Sequence, residues 1–381
     1  MNDALAGHWD ARFDKVADAL GQAISDGEEV GAAIAIDIDG ENIVDVWGGH
    51  ADAARTKPWT ADTIVNVWSS TKTVTALAGL MLIDRGLIEA GTPVATVWPE
   101  FAANGKDLVE FRHLLTHSSG VSGWDQPVVV EDIYDWEKST AMLAAQAPWW
   151  EPGTASGYHA LTHGHLIGEV LRRVTGTTLK QFVADEIAGP LGADFQIGAR
   201  PEDAGRIAEI IPAADPMEGV PPMDQWTEQM LKTFTGPAPD PTVANTDGWR
   251  AADIGAANGH TNARGLTRIL SSISLGGSVA GVQLLRPETI ERIFEVQCEG
   301  PDLVLAQHPI RWGLGFGLPN ESIPYVPDEK ICFWGGWGGS WETMNPDRRT
   351  TIAYVMNRMG AGIEGSERTD RYFRLIYDAL S

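Results

Sequence analysis

The chain is poor in cysteine, in lysine and in long apolar runs. Only Cys298 and Cys332 occur among its 381 residues, too few for a disulfide framework and without metal-ligand spacing, so we expect two free thiols. No stretch approaches the roughly 18 consecutive apolar residues of a membrane span, so no membrane partner is predicted. Eight lysines stand against twenty arginines. A lysine in an apolar setting is therefore unusual here and needs a reason.

Basic residues as a whole are also scarce. Lys and Arg number 28 against 52 Asp and Glu, which gives a net charge of -24 and a pI near 4.6. Such a chain repels phosphate backbones, so nucleic acid is not an expected partner. Residues 1–22 carry charges every few positions and lack the roughly 7 to 15 residue apolar segment of a secretory signal. The expected location is cytoplasmic, unless a signal was trimmed from the sequence.

The chain does have enough apolar residues to bury a large core. Its composition, 43% apolar with 8% aromatic residues, suits one large domain or two intimate lobes. Helical spacing over residues 9–25 predicts an amphipathic helix, and the pattern around Asp39-Gly40 predicts a β-hairpin. Helical patterns dominate the middle of the chain. Strand patterns return beyond about residue 305, and residues 369–380 predict a closing helix.

This order of elements predicts an α/β (α+β) fold. It favours an antiparallel sheet built from both ends of the chain, with the terminal helices on one face and a mostly helical lobe inserted between. We expect one unit over residues 1–381, with an α/β lobe at about 1–65 and 290–381 and a helical lobe at about 66–289. A cleft between the two lobes follows from that arrangement.

One lysine lies in an apolar setting, at the end of a β-branched run. Ser69 and Lys72 are three residues apart, and such a pair in the first turn of a helix places both side chains on one face. Burial should weaken the hold of Lys72 on its proton and make it a plausible base for the serine. The N–H of Ser69 at a helix start could donate to a developing oxyanion. The chain contains no other Ser-x-x-Lys.

Two further elements complete a candidate catalytic site. A serine that relies on a lysine usually needs a second group to relay protons, and Tyr158 follows a Pro-Gly loop just before a predicted helix. The segment ICFWGGWGGSWETM (331–344) has four glycines within five positions of a predicted strand, which is costly unless its backbone approaches another group closely. An N–H from this strand could supply the second oxyanion donor.

The motifs resemble those of the serine β-lactamase and penicillin-binding-protein superfamily, most closely the class C-like family VIII carboxylesterases. They occur in the family's order over nearly the whole chain: SSTK (69–72), HLLTHSSG (113–120), EPGTASGYHALT (151–162) and WGG (334–336). The resemblance implies Ser69 as the acyl-accepting nucleophile, with Lys72 and Tyr158 as the proton-handling pair. It also places Trp334, Gly335 and Gly336 at the position of the family's Lys-Thr-Gly strand. The oxyanion donors would be the N–H groups of Ser69 and Trp337.

Departures from the lactamase pattern point to the substrate. Trp334 stands where the lactamases have a lysine, and Tyr158-His159-Ala160 lacks the asparagine of Tyr-x-Asn. A strong anchor for a carboxylate is therefore missing, and the net charge disfavours anions. We expect a carboxylesterase-type serine hydrolase acting on small, largely uncharged esters, with no cofactor and with slow β-lactam hydrolysis still possible.

Other functions are less well supported by the same sequence. His113 and His117, like His159 and His163, are four apart on predicted helices, but neither pair has the glutamate of His-Glu-x-x-His, so no metal is predicted. The sequence has no Gly-x-Ser-x-Gly, the signature of an α/β-hydrolase. Amide or D-peptide hydrolysis, acyl transfer and a non-catalytic binding role on this scaffold remain open alternatives. The oligomeric state is not predicted.

Overall fold

The structure is a computed structural model that describes residues 5–215, 220–362 and 365–381. The other residues of the predicted single unit, 1–4, 216–219, 363 and 364, lie outside the described residues. The strands of the described part are β1 (Leu5–Trp9), β2 (Gly31–Ile38), β3 (Glu41–Gly49), β4 (Val65–Asn66), β5 (Phe195–Ile197), β6 (Gly259–Thr261), β7 (Ser278–Val279), β8 (Val282–Gln283), β9 (Cys298–Pro301), β10 (Pro309–Trp312), β11 (Gly317–Leu318), β12 (Cys332–Gly335), β13 (Trp341–Asn345) and β14 (Thr350–Met356).

The α-helices alternate with short 3-10 turns through the middle of the chain. In the described residues they are α1 (Asp14–Asp26), α2 (Thr71–Asp84), α3 (Phe111–Leu115), α4 (Trp136–Ala145), α5 (Thr162–Thr175), α6 (Leu179–Phe182), α7 (Gly189–Leu191), α8 (Glu228–Thr235), α9 (Asp247–Ala251), α10 (Ala263–Ser274), α11 (Pro287–Ile293) and α12 (Glu367–Leu380). None of these helices is both long and apolar enough to cross a bilayer.

The main sheet is antiparallel throughout. Within the described residues it has nine strands in the order β1-β3-β2-β14-β13-β12-β11-β10-β9. Strands from the two ends of the chain meet where β2 pairs with β14, with Ala32 opposite Met356. The predicted fold, a sheet built from both chain ends with a helical insertion, is confirmed.

The predicted hairpin is also present. Strands β2 and β3 are joined at Asp39 and Gly40, whose φ angles of 55° and 83° are those of a primed two-residue turn. The helix predicted from residue 9 begins later, because Trp9 ends β1 and Asp10 caps a short 3-10 turn by accepting from the N–H of Arg12. The strand β1 was not predicted from the sequence.

Helices cover both faces of the sheet. Apolar side chains of α1 and α12, including Leu20 and Phe373, are fully buried in a core that they share with the sheet. Helix α10, which lies inside the segment 66–289, packs against β2, β13 and β14. The segment predicted as the helical lobe, 66–289, therefore contributes one helix to the layer that covers the sheet.

Helix α2 is the central support of the site. Its residues from Thr71 to Ile83 are all buried, as expected for a helix that is apolar on every side. The short sheet β4-β6-β5 lies beside the start of α2, because Val65 and Asn66 pair with Thr261 and His260. This sheet brings the turn before β6 close to Ser69.

The glycine-rich segment forms a hairpin instead of the single strand that the sequence suggested. Strand β12 ends at Gly335, the chain turns through residues 336–340, and β13 runs back beside β12. The positive φ angles of Gly338 and Gly339, 90° and 126°, explain the need for glycine in this turn.

Candidate active site

Ser69 lies in the tight turn between β4 and α2. The residue before it, Trp68, has a φ of 48°, in the left-handed region that a bulky side chain rarely adopts. The N–H of Thr71 and its hydroxyl both donate to the carbonyl of Trp68, at 2.9 and 2.5 Å. The turn is thus held in a strained conformation by hydrogen bonds, of the kind that clusters at functional sites.

Lys72 lies on the buried first turn of α2 and is 2% exposed. Its Nζ is 3.1 Å from Ser69 Oγ and 2.8 Å from the carbonyl oxygens of both Ala160 and Ala256. Burial lowers the pKa of Lys72 well below its usual value. In the neutral amine the two N–H groups donate to the two carbonyls, so the lone pair points towards the serine hydroxyl.

Tyr158 lies in the loop before α5 and is buried against the lysine. The centre of its ring is 4.8 Å from Lys72 Nζ. Its hydroxyl accepts a hydrogen bond of 3.1 Å from the indole N–H of Trp334. An N–H donor on a phenol oxygen stabilises the ionised form of that phenol. The three predicted residues Ser69, Lys72 and Tyr158 therefore lie together, and Trp334 joins them through its ring nitrogen.

Asp302 fixes the backbone of Tyr158, and no sequence motif indicates this residue. This carboxylate, fully buried, accepts from the N–H groups of Tyr158, Val304 and Leu305 at 2.9 to 3.0 Å, and from Ser156 Oγ at 2.8 Å. Burial raises the pKa of Asp302, and its hydrogen bonds oppose that rise. One side chain thus connects Tyr158 to the loop 303–306.

Replacing Asp302 should damage both stability and activity. Asp302→Ala leaves three buried N–H groups without an acceptor, so we expect the free energy of unfolding to fall by about 3 kcal/mol or more. Ester turnover by the fraction that remains folded should also fall, since Tyr158 loses its anchor. Urea unfolding and kcat/KM measure the two effects, with exposed Asp107→Ala as the control. Equal stability of the two variants would contradict this role.

Three histidines pack beneath Tyr158, and they are not the helical pairs that the sequence suggested. His117 follows the end of α3 with a φ of 57°, and His159 precedes α5. The N–H of His159 donates to His117 Nδ1 at 3.0 Å, and the ring of His163 stacks on that of His117. Burial lowers the pKa of each ring. The three rings are therefore neutral, and the bond from His159 to His117 holds the loop. Among the described residues, no group of three or more His, Cys, Asp or Glu side chains is arranged to hold a metal.

The segment 334–337 approaches Ser69 from the sheet side. A Cβ on Gly336 would lie 2.2 Å from the carbonyl oxygen of Val67, and the Gly336 N–H donates to Ser340 at 2.7 Å. Glycine is thus required for this close approach of two backbones. Trp337 packs edge-on against Trp68, with ring centres 5.2 Å apart. Trp334 and Gly335 border a smaller cavity of about 30 Å³ that also reaches Tyr158.

Ser69 lies in the wall of an apolar cavity of about 420 Å³. Its lining contains no lysine or arginine among the described residues, and Asp240 is its single acidic side chain. Most of the wall was not predicted, because it comes from the segment 220–243, which is largely irregular outside the short helix α8, and from side chains distant in sequence. The main apolar contributors are Trp68, Trp226, Met230, Phe234, Pro237, Trp249, Leu305 and Trp337.

The arrangement of Ser69, Lys72 and Tyr158 around an apolar cleft can be compared with known proteins. The family model described as Beta-lactamase matches residues 13–375. The chain belongs to this family. It is 34% identical over 364 residues to the esterase/beta-lactamase LipL of Mycobacterium tuberculosis (strain ATCC 25618 / H37Rv), covering 93% of this chain and 83% of the relative.

Solved structures of this family give the same result. A family VIII carboxylesterase superimposes with a TM-score of 0.92 at 38% identity, covering 99% of this chain and all of the other. A penicillin-binding protein homologue from Caulobacter crescentus has a TM-score of 0.92 at 35% identity, with the same coverage. The predicted superfamily, with its similarity to family VIII, is confirmed. So is the enzyme class, a serine hydrolase of the carboxylesterase type.

Proposed function

We propose that this member of the beta-lactamase family hydrolyses small, largely uncharged carboxylic esters through an acyl intermediate on Ser69. The observation that carries the proposal is the environment of Lys72 Nζ. Two carbonyl oxygens at 2.8 Å occupy two N–H groups of a buried amine, and Ser69 Oγ lies at 3.1 Å in the remaining direction. A neutral amine so oriented can accept only from the serine.

The reaction would proceed in two acyl-transfer steps. Lys72 takes the proton of Ser69 Oγ as that oxygen bonds to the ester carbonyl carbon. The N–H groups of Ser69 and Trp337 stabilise the oxyanion. Collapse of the tetrahedral intermediate breaks the bond to the alcohol, which leaves with a proton relayed through Tyr158. Water then attacks the acyl-serine by the same route and releases the acid.

Trp334 has a supporting role in this scheme. Its indole N–H donates to the Tyr158 hydroxyl at 3.1 Å, the position at which it would favour the ionised phenol. Unlike a lysine, the indole brings no positive charge for a substrate carboxylate. A carboxylate would then have to enter an apolar cavity without a cationic partner.

Neutral esters should therefore be preferred over anionic ones. With two nitrophenyl esters of equal chain length, one ending in a methyl group and one in a carboxylate, we expect kcat/KM to be at least about tenfold lower for the anion, a difference of about 1.4 kcal/mol. Part of the difference should shrink with added salt, which screens the negative field of the protein. Equal turnover of the two esters at all salt concentrations would contradict this preference.

A serine-directed fluorophosphonate tests the nucleophile directly. Intact mass before and after labelling should show one adduct, and peptide mapping should place it on Ser69. An adduct on another serine would overturn the assignment, and no adduct at all would favour a non-catalytic binding protein. Turnover of matched esters and amides, with and without an added alcohol acceptor, separates ester hydrolysis from amide hydrolysis and acyl transfer.

A further inference from the structure

Glu342 is a buried acid beside the candidate active site that the scheme above does not use. It lies on β13, opposite Trp334 on β12, and is fully buried. Among the described residues neither of its carboxyl oxygens has a hydrogen-bond partner. A carboxylate buried without a partner is very unfavourable, so this group calls for a physical account.

The surroundings of Glu342 are set by β13 and α2. Ser340 and Glu342 are two residues apart on one strand and so face the same side of the sheet. Ser70 Oγ contacts Ser340 Oγ at 3.3 Å, and Thr73 is one helical turn beyond Ser70. The Ser70 and Thr73 side chains thus face Glu342. The pair is offset by one residue from Ser69 and Lys72, which face the cavity side.

The hydrogen bonds of these hydroxyls determine what Glu342 can do. Ser340 Oγ donates to the carbonyl of Val67 at 3.1 Å, so the proton between Ser70 and Ser340 comes from Ser70. Thr73 Oγ1 donates to the carbonyl of Ser70 at 2.7 Å. Each hydroxyl has one proton, and both are already used. Towards Glu342, Ser70 and Thr73 can therefore only accept.

We propose that Glu342 is held in its protonated form and acts as a positioning residue for the turn that carries Ser69. The neutral acid has one O–H that can donate to one of these two acceptors, whereas the carboxylate would present only acceptors. The chain from Ser70 through Ser340 to Val67 links α2 to the turn that carries Trp337. After loss of the proton, the carboxylate would repel the oxygen of Ser70. This repulsion would disturb the two turns that carry the N–H groups of Ser69 and Trp337.

The electrostatics around Glu342 agree with this role. Burial raises the pKa of Glu342 to about 8; the Ser70 and Thr73 hydroxyls would lower it by donating to the carboxylate, and even that effect does not cancel the rise. No charged side chain of β12, β14, α2 or α10 among the described residues contributes. The pKa of Lys72 in turn is lowered by burial and not by Glu342. The neutral form therefore dominates near pH 7, and ionisation falls in the mildly alkaline range.

The pH profile of Glu342→Gln tests the proposal, which rests on the proposed function where it concerns turnover. Wild-type kcat/KM should decrease about tenfold per pH unit above the pKa of Glu342. The glutamine amide can donate to both hydroxyls and cannot ionise. We therefore expect E342Q to keep kcat/KM within about threefold at neutral pH and to lose this alkaline decrease. Exposed Glu321→Gln should reproduce the wild-type profile.

Two measurements do not depend on hydrolysis. Infrared spectra of wild-type protein should contain a protonated carboxyl band that disappears over the same pH range and is absent from E342Q. The thermal midpoint of the wild type should fall over that range relative to E342Q, because a raised folded-state pKa means that stability is lost as pH rises. An unchanged alkaline decrease in E342Q, an inactive but folded E342Q at neutral pH, or the absence of the band would each overturn the proposal. If the wild type showed the protonated carboxyl band but did not hydrolyse esters, that result would instead count against the proposed function.

Discussion

Ser69→Ala should lower kcat/KM for a short-chain nitrophenyl ester by at least about 10⁴-fold, because removal of a nucleophile leaves only binding and oxyanion stabilisation. The hydroxyl is the only group that could take up the acyl chain in the scheme. Its removal leaves Lys72 with both carbonyl partners, so the fold should be retained. Thermal unfolding would verify this, and steady-state kinetics would measure the loss.

A matched control for Ser69→Ala is Ser278→Ala, an exposed serine on β7 that does not line the cavity. It should hydrolyse the ester at the wild-type rate. Fluorophosphonate labelling should disappear in Ser69→Ala and persist in the control. If Ser69→Ala kept most of its activity, the nucleophile would have to be sought elsewhere and the proposed reaction would fail.

Lys72→Met should be the second most severe change. Methionine fills a similar volume but has no base, and loss of a general base typically costs about 10² to 10⁴ in rate. Stability should fall modestly, because the carbonyls of Ala160 and Ala256 lose their donor, while removal of a buried ionisable amine offsets part of that cost. Lys72→Arg should be equally inactive, since a guanidinium cannot lose its proton.

The chain offers a matched control for Lys72 in Lys106. This lysine is also fully buried, and its Nζ donates to the carbonyls of Ala103 and Ala144 at 2.8 and 3.0 Å and to that of Gln146. Burial lowers its pKa to about 8. It is not part of the cavity lining. Lys106→Met should therefore alter stability without a large effect on kcat/KM, and a comparable loss in both variants would indicate that Lys72 is structural.

The pKa of Lys72 also predicts two pH effects of known sign. Its neutral form is the base, so kcat/KM should fall as pH drops through its lowered pKa. The unfolded chain binds the proton more readily than the folded chain, so this lysine lowers stability at low pH and ceases to do so as pH rises towards 10.5. The thermal midpoint of the wild type should therefore rise relative to that of Lys72→Met over this pH range. A constant difference would show that Lys72 titrates normally.

Local sequence patterns predict much of the fold. The Asp39-Gly40 turn and the helical spacing after Ser69 are each decided within a few residues, and both elements form where they were predicted. Strand β1 was not predicted, because Leu5–Trp9 contains a glycine and a histidine and gains its register only by pairing with β3. The pattern over residues 331–344 predicts one strand, and the turn at 336–340 that divides it into β12 and β13 was not predicted.

The residues of the candidate site also fall into those that local sequence spacing predicts and those that it does not. Ser69 and Lys72 are related by one helical turn, so sequence spacing alone places them in contact. Asp302 and Glu342 have no comparable signal, since each acts on residues more than a hundred positions away. The apolar wall from segment 220–243 has no clear sequence signal either, because α8 is only two turns long and the backbone around it lacks a period.

The junction of β2 with β14 sets the order in which the molecule can be completed. During synthesis the ribosome releases β2 and β3 long before β14, so the edge of β2 must wait for a partner made near the end of translation. The turn at Ser69 likewise waits for Ser340, which holds the carbonyl of Val67. A nascent chain interrupted before residue 340 would carry its serine and lysine without the hairpin that completes their surroundings.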